Sequence, residues 1–269
     1  MVGVGRMGYA MLKHLIKAGH PVMVTDLNAE QVKKAETAGA KSVPNAAGVA
    51  KDSDIIIIAV GFDDEAKAVM SGPGGLLESL KPGSIVAVSS TVSPKTAQAL
   101  DEAARAKGSD VLDAPICRGG WSADQGTLLA LFGGKEDVVE RSRAVYSTFS
   151  SDIVHVGAVG HGQVAKTMNN MLLWVNAVAL IEAGKLAAST GISLPKLREA
   201  LLMSSGASDA LKEWDNITFT WALKDMQIVS QMTDDSGLSL PIVGAIRELV
   251  KDGRRIKSSN PPDWTGKRG

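Results

Sequence analysis

Two patterns of hydrophobic and polar positions divide the chain. Up to about residue 156, short β-branched runs alternate with amphipathic stretches. The runs are Val22–Thr25, Ile55–Val60, Ile85–Val88, Val111–Leu112, Leu128–Phe132 and Ile153–Val154. Tyr9–Ala18, Ala29–Ala38 and Pro94–Ala106 carry helical periodicity between them. Ile55 to Val60 is apolar at every position, as in a parallel strand covered on both faces, whereas an edge strand alternates. The alternation predicts an α/β fold with a doubly wound parallel sheet.

After Gly162 the strand signal stops. Gln163–Ser189 reads as one long helix, followed by helices over Leu194–Met203 (Ser193 as N-cap), Ser208–Asn216, Trp221–Thr233 and Leu240–Lys251. The most apolar stretch, Met168–Ala187, carries Asn169, Asn170, Asn176, Glu182 and Lys185, and so reads as a buried helix rather than a membrane span. The expected division is an α/β domain over residues 1–157, an all-α domain for substrate and oligomerisation over 158–253, and a loosely ordered tail over 254–269.

The length of 269 residues, at about 150 per domain, agrees with two domains. Lys plus Arg and Asp plus Glu both number 29, so no global cationic field draws nucleic acid or an anionic membrane as the main partner. A single cysteine, Cys117, excludes an intrachain disulfide, and the four histidines lack metal-ligand spacing; no metal site is expected. With no leader pattern at its start, the chain is expected to be cytoplasmic. Only Met1 and Val2 precede the first glycine, so a few apolar residues are expected upstream to complete the first strand.

Three segments carry chemistry. Gly3-Val4-Gly5-Arg6-Met7-Gly8 is a G-x-G-x-x-G run opening a helix, the pattern of a Rossmann-type dinucleotide turn. Asp26 follows the next strand, eighteen positions past Gly8, where an acid binds the adenosine ribose hydroxyls and repels a 2′-phosphate; this favours NAD over NADP. An N-cap role for Asp26 is the plainer alternative. Asp113 to Gly120 follows the fifth strand; Arg118 can clamp a carboxylate, the amides near Gly119 can form an anion-binding concavity, and Cys117 can touch substrate. A surface arginine and a packing cysteine are the ordinary readings of the same residues. In the third segment, Gly157 to Asn170, glycines lead into the long helix, with Lys166 and Asn170 at i and i+4 on one face. The flanking Val164, Met168, Leu172 and Leu173 predict a largely buried helix, where a buried lysine can serve as general acid or base, and an asparagine donates to and accepts from a substrate oxygen.

These motifs resemble the β-hydroxyacid dehydrogenases, the group of 3-hydroxyisobutyrate dehydrogenase and tartronate semialdehyde reductase. The resemblance rests on Gly3 to Gly8 (G-x-G-x-M-G), Ser90-Thr91-Val92-Ser93-Pro94 (S-T-x-S-P), Asp113-Ala114-Pro115, Gly160-x-Gly162-x-x-x-Lys166-x-x-Asn169-Asn170 and Lys224-Asp225. It implies Lys166 as catalytic acid/base, Asn170 orienting substrate, Thr91 near the nicotinamide, and Lys224 at the cofactor and substrate mouth. The family continues D-A-P-V-S-G-G where this chain has Cys117 and Arg118. The implied activity is NAD-dependent hydride transfer on a small anionic hydroxy acid or semialdehyde, by a homodimer or homotetramer. An imine or ketone reductase of similar build and a non-catalytic nucleotide-binding scaffold are the alternatives.

Overall fold

The computed structural model describes residues 1–267 and divides into two compact units, Met1–Lys166 and Thr167–Gly269. In the first, strands β1 (Met23–Val24) and β2 (Lys41–Ser42) pair in parallel. Strands β3 (Ile55–Ile58), β4 (Ile85–Val88) and β5 (Asp110–Asp113) pair in parallel in that order. The first three residues join these two groups. Val2 bridges Thr25 on one side and Ile58 on the other, with Val2 N donating to Ile57 O (2.9 Å), Ala59 N to Val2 O (2.8 Å) and Gly3 N to Thr25 O (3.0 Å). The chain therefore runs outward from Met1–Gly3 through β1 and β2, then outward the other way through β3, β4 and β5. That reversal is the doubly wound order, with its switch point beside Gly3.

Ala114 and Pro115 lead straight from β5 into the short β6 (Ile116–Cys117), and β7 (Leu128–Gly133) runs antiparallel to both. The sheet is thus mixed at this end, because the connection is too short for a parallel crossover. β8 (Ser150–Gly157) pairs in parallel with β7. Helices α1 (Arg6–Lys17), α2 (Ala29–Thr37), α3 (Ala46–Lys51), α4 (Asp63–Ser71), α5 (Pro94–Arg105), α6 (Gly119–Gln125) and α7 (Glu136–Tyr146) complete the unit. Consecutive strand residues feed two cores. Ile57, Ala87 and Leu112 pack with Met11, Leu12 and Tyr146, while Ile56, Ile58, Val86 and Val88 pack with Met70, Leu76 and Leu100. The unbroken apolar run of β3 is explained by this double cover.

Helix α8 (His161–Ser189) begins in the first unit and continues into the second, which adds α9 (Leu194–Leu202), α10 (Asp209–Lys212), α11 (Ala222–Ser236) and α12 (Pro241–Ser259) around Trp174, Trp214, Phe219, Val229 and Trp264. Three expectations are corrected. The division falls after Lys166 rather than after Gly157, since the first turn of α8 is bonded to β5. The tail is not loose over its described part: α12 runs to Ser259, Trp264 is fully buried with its Nε1 donating to Leu180 O (3.2 Å), and Trp214 Nε1 donates to Pro262 O (3.0 Å). Residues 268 and 269 of that tail lie outside the described residues. Helix α8 is long and apolar enough to cross a membrane by length and composition, yet only 33% of its most apolar window is buried, and Met168, Leu172 and Leu186 are exposed. The expected burial is partial.

Candidate active site

The glycine turn is built by close approach. Gly3 has φ +87°, and a Cβ there would lie 2.5 Å from Ala59 O; a Cβ at Gly8 would collide with the Gly3 carbonyl. At Gly5, by contrast, a Cβ would meet nothing within 4 Å. Gly5 is the N-cap of α1, no side chain caps it, and the first turn of α1 carries no acid. The amides and dipole at this end fit a pyrophosphate, which would pass over the open face of Gly5. Val4 is fully buried, so only its backbone can face a cofactor, while half-buried Met7 packs its side chain on the core.

Asp26 stands at the carboxyl end of β1, where Oδ2 accepts from Val4 N (2.7 Å) and Oδ1 from Asn28 N (2.8 Å). Asn28, not Asp26, caps α2, accepting from Glu30 N at 2.9 Å. The acid is therefore tied to the glycine turn itself, in the place that fits a ribose. The side chain of Arg6 turns elsewhere. Its Nη1 and Nη2 reach the two oxygens of Asp124 at 3.0 and 2.5 Å, and Nη2 also donates to Gly120 O (3.0 Å). That pair holds the Asp124 carboxyl below its usual range and straps α1 to α6.

A buried polar network joins the loop after β4, the end of β5 and the start of α8. The Gln163 side chain is fully buried: Oε1 accepts from Val92 N (3.0 Å), and Nε2 donates to Ser90 O (3.0 Å) and Asp113 Oδ1 (2.8 Å). Asp113 Oδ2 accepts from Gly160 N and Gln163 N, both at 3.0 Å, capping α8 from a different element. Burial pushes the Asp113 carboxyl up to about 6, while the same N–H donors act in the opposite direction. Ser90 Oγ accepts from Val60 N (2.8 Å), carrying the network to the end of β3. Gly162 is required here, since a Cβ would lie 2.6 Å from Leu131 O. Neither Gln163 nor the link from Asp113 to Gln163 stands out in the sequence. Only the G-x-G leading into a helix pointed at this turn.

Lys166 lies one turn beyond Gln163 and is half-buried, as is Thr91 in the tied loop. Asn170, one turn further along α8, is buried, and its Oδ1 accepts from Asn169 Nδ2 (3.0 Å). Lys224 is half-buried in the first turn of α11; its neighbour Asp225 is buried and accepts from Trp174 Nε1 (2.9 Å). Cys117 is a buried free thiol within β6, paired with Leu129.

Arg118 departs from the expectation. Its Nη1 donates to Asp152 Oδ2 (2.6 Å), Ser151 Oγ (2.9 Å) and Thr127 O (3.1 Å), so the guanidinium is anchored on β8 as a surface ion pair rather than held out to a carboxylate. The reason lies in the backbone. Arg118 (φ +82°) and Gly119 (φ +71°) are successive left-handed residues, and this turn sends the Arg118 side chain along the sheet edge.

Residues 1–157 match the NAD-binding domain of 6-phosphogluconate dehydrogenase, and 160–260 match the family model described as NAD-binding of NADP-dependent 3-hydroxyisobutyrate dehydrogenase. The 2-(hydroxymethyl)glutarate dehydrogenase of Eubacterium barkeri is 36% identical over 95% of this chain and 88% of that protein. The NAD-dependent L-serine dehydrogenase of Pseudomonas aeruginosa is 33% identical over 80% and 72%. Mitochondrial 3-hydroxyisobutyrate dehydrogenases also match, over 61% of their length. The fold is that of a Mycobacterium tuberculosis 3-hydroxyisobutyrate dehydrogenase solved with L-serine, at TM-score 0.85 and 24% identity over 98% of this chain and 95% of that one. With an open-faced glycine turn, an acid tied to it and a lysine one turn into a capped helix, the chain belongs to the β-hydroxyacid dehydrogenase family of NAD-dependent oxidoreductases.

Proposed function

We propose that this protein oxidises the hydroxymethyl group of a small 3-hydroxy acid, HOCH2–CHR–COO⁻, to the semialdehyde, and catalyses the reverse reduction. The observation that carries the reading is the placing of Lys166 one turn beyond Gln163, on a helix start bonded to the Ser90–Val92 loop. The substrates named for its relatives, 2-(hydroxymethyl)glutarate and L-serine, share that hydroxymethyl group next to a carboxylate. Bound NAD supplies the hydride acceptor.

Uncharged Lys166 Nζ takes the hydroxyl proton during oxidation, and its charged form returns a proton to the oxygen during reduction. The Asn170 amide holds the same oxygen as donor and acceptor. The turn from Gly3 to Gly8 receives the pyrophosphate, and Asp26 favours NAD by accepting from ribose hydroxyls and repelling a 2′-phosphate.

The test is NADH formation from 3-hydroxyisobutyrate, L-serine and 2-(hydroxymethyl)glutarate, with NAD and NADP in matched assays and a cyclic imine with NADPH as control. Turnover of at least one acid, with kcat/KM higher for NAD, is expected. Reduction of the imine alone, or equal kcat/KM with both cofactors, would overturn the activity or the cofactor choice respectively.

A further inference from the structure

We propose that Gln163 is a positioning residue of the reaction: its buried side-chain amide holds the loop carrying Thr91 at a fixed spacing from the first turn of α8. It thereby sets the nicotinamide side of the site against Lys166. The inference rests on the reading of Lys166 as proton carrier and on the resemblance that puts Thr91 beside the nicotinamide.

The geometry is specific to an amide. One end of the side chain accepts from Val92 N while the other donates to Ser90 O and Asp113 Oδ1. Glutamate keeps the length but loses both donors and brings a second carboxylate against Asp113. Asparagine is one methylene too short to span the gap, and methionine fills it with no partner for any of the three groups. Every link at this junction is direct, between 2.8 and 3.0 Å. Gln163 N is itself bonded to Asp113 Oδ2, so the same residue sets the start of α8 and reaches across to the loop. Through Ser90 Oγ the tie extends to Val60 N at the end of β3, beside the carbonyl of Ala59 that the glycine turn approaches. A displacement of about 1 Å between reacting groups costs on the order of 10²-fold in rate. A side chain that fixes two of the segments bearing those groups therefore acts on kcat without touching substrate.

The experiment uses the full-length protein with NADH as the probe, and the three hydroxy acids named above as substrates. Gln163→Ala should bind NADH with a Kd within about threefold of the parent, because the glycine turn and Asp26 are unaltered. It should lose most of the fluorescence enhancement of the bound nicotinamide, and kcat should fall about 10- to 100-fold with KM within about threefold. Gln163→Met, which preserves side-chain volume without adding a charge beside Asp113, should show the same split and guards against misfolding of the alanine variant. Lys166→Ala should lose turnover yet keep the full NADH enhancement. If Lys166→Ala turns over like the parent, the proton-carrier reading fails, while the fluorescence comparison still decides the role of Gln163. Parental NADH fluorescence with kcat within twofold in a folded Gln163 variant would overturn the proposal. So would failure of both Gln163 variants to fold, which would make Gln163 a residue of the fold alone.

Discussion

Among the glycine-led helix starts of the α/β unit, those of α1 and α8 are put to opposite uses. At α1 the N-cap is Gly5, no side chain bonds the free amides, and the space over Gly5 is open. At α8 the amides of Gly160 and Gln163 are bonded to Asp113, and Gly162 is pressed against Leu131 O. A helix N-terminus carries about half a positive charge either way. The first end offers that charge to an anionic ligand, whereas the second spends it on an internal carboxylate and becomes a rigid mount. Similar glycine spacing thus builds a binding end and a positioning end. What separates them is where the acid stops: Asp113 bonds Gly160 N and Gln163 N within the start of α8, whereas Asp26 bonds Val4 N, one residue before the N-cap of α1, and leaves the helix amides to a ligand.

Substitutions can invert or sharpen this contrast. The largest effect is expected from Gly162→Ala, whose Cβ lands against Leu131 O and Asp113 Oδ2; this belongs at the upper end of the about 1–3 kcal/mol that overpacking costs and should lower Tm by several degrees. Next comes the pH dependence of the internal cap. Because the folded Asp113 pKa is raised to about 6, the folded state binds more protons than the unfolded chain between about pH 4 and 6. The contribution of Asp113 is therefore full below about pH 4 and is lost as pH rises through about 6, by up to about 3 kcal/mol. The titratable group facing it is the Tyr146 phenol, pushed above its usual range by burial and by Asp113 itself, and neutral throughout this window. Denaturant melts across pH 4–8 should show this slope in the parent and a flatter one in Asp113→Asn.

Gly5→Ala is the converse of Gly162→Ala. It should leave Tm within about a degree and weaken NADH binding at least about tenfold, roughly 1.4 kcal/mol, read by fluorescence titration. The smallest effect is expected from Arg118→Gly. That change relieves a left-handed arginine and removes an exposed ion pair worth about 0–1 kcal/mol, so stability and substrate KM should both stay close to the parent. A severalfold rise in KM would return Arg118 to the substrate.

Much of this was legible in the chain itself. The run Ile55 to Ile58, the G-x-G-x-x-G turn, the long helix after Gly160 and the order of the motifs follow from periodicity and glycine chemistry. What escaped depends on distant partners. The strand Lys41–Ser42 is two polar residues long and has no pattern of its own. Arg118 reads as a free cation until Asp152, thirty-four positions later, arrives beside it on β8. Trp264 sits in a stretch rich in Pro, Gly and charge, yet it is buried, as Gly184 leaves room for Pro262 beside it. Gln163 carries no periodic signal, because its meaning comes from Ser90, Val92 and Asp113, which only the sheet brings together.

The most direct measurement is a single-turnover absorbance trace at the NADH band, with excess enzyme, NAD and whichever hydroxy acid turns over, comparing the parent with Lys166→Ala. Removal of the proton carrier should slow hydride transfer about 10²- to 10⁴-fold while NADH still binds with a Kd within about threefold of the parent. A Lys166→Ala trace within a few-fold of the parent would contradict the assignment of Lys166 as acid and base.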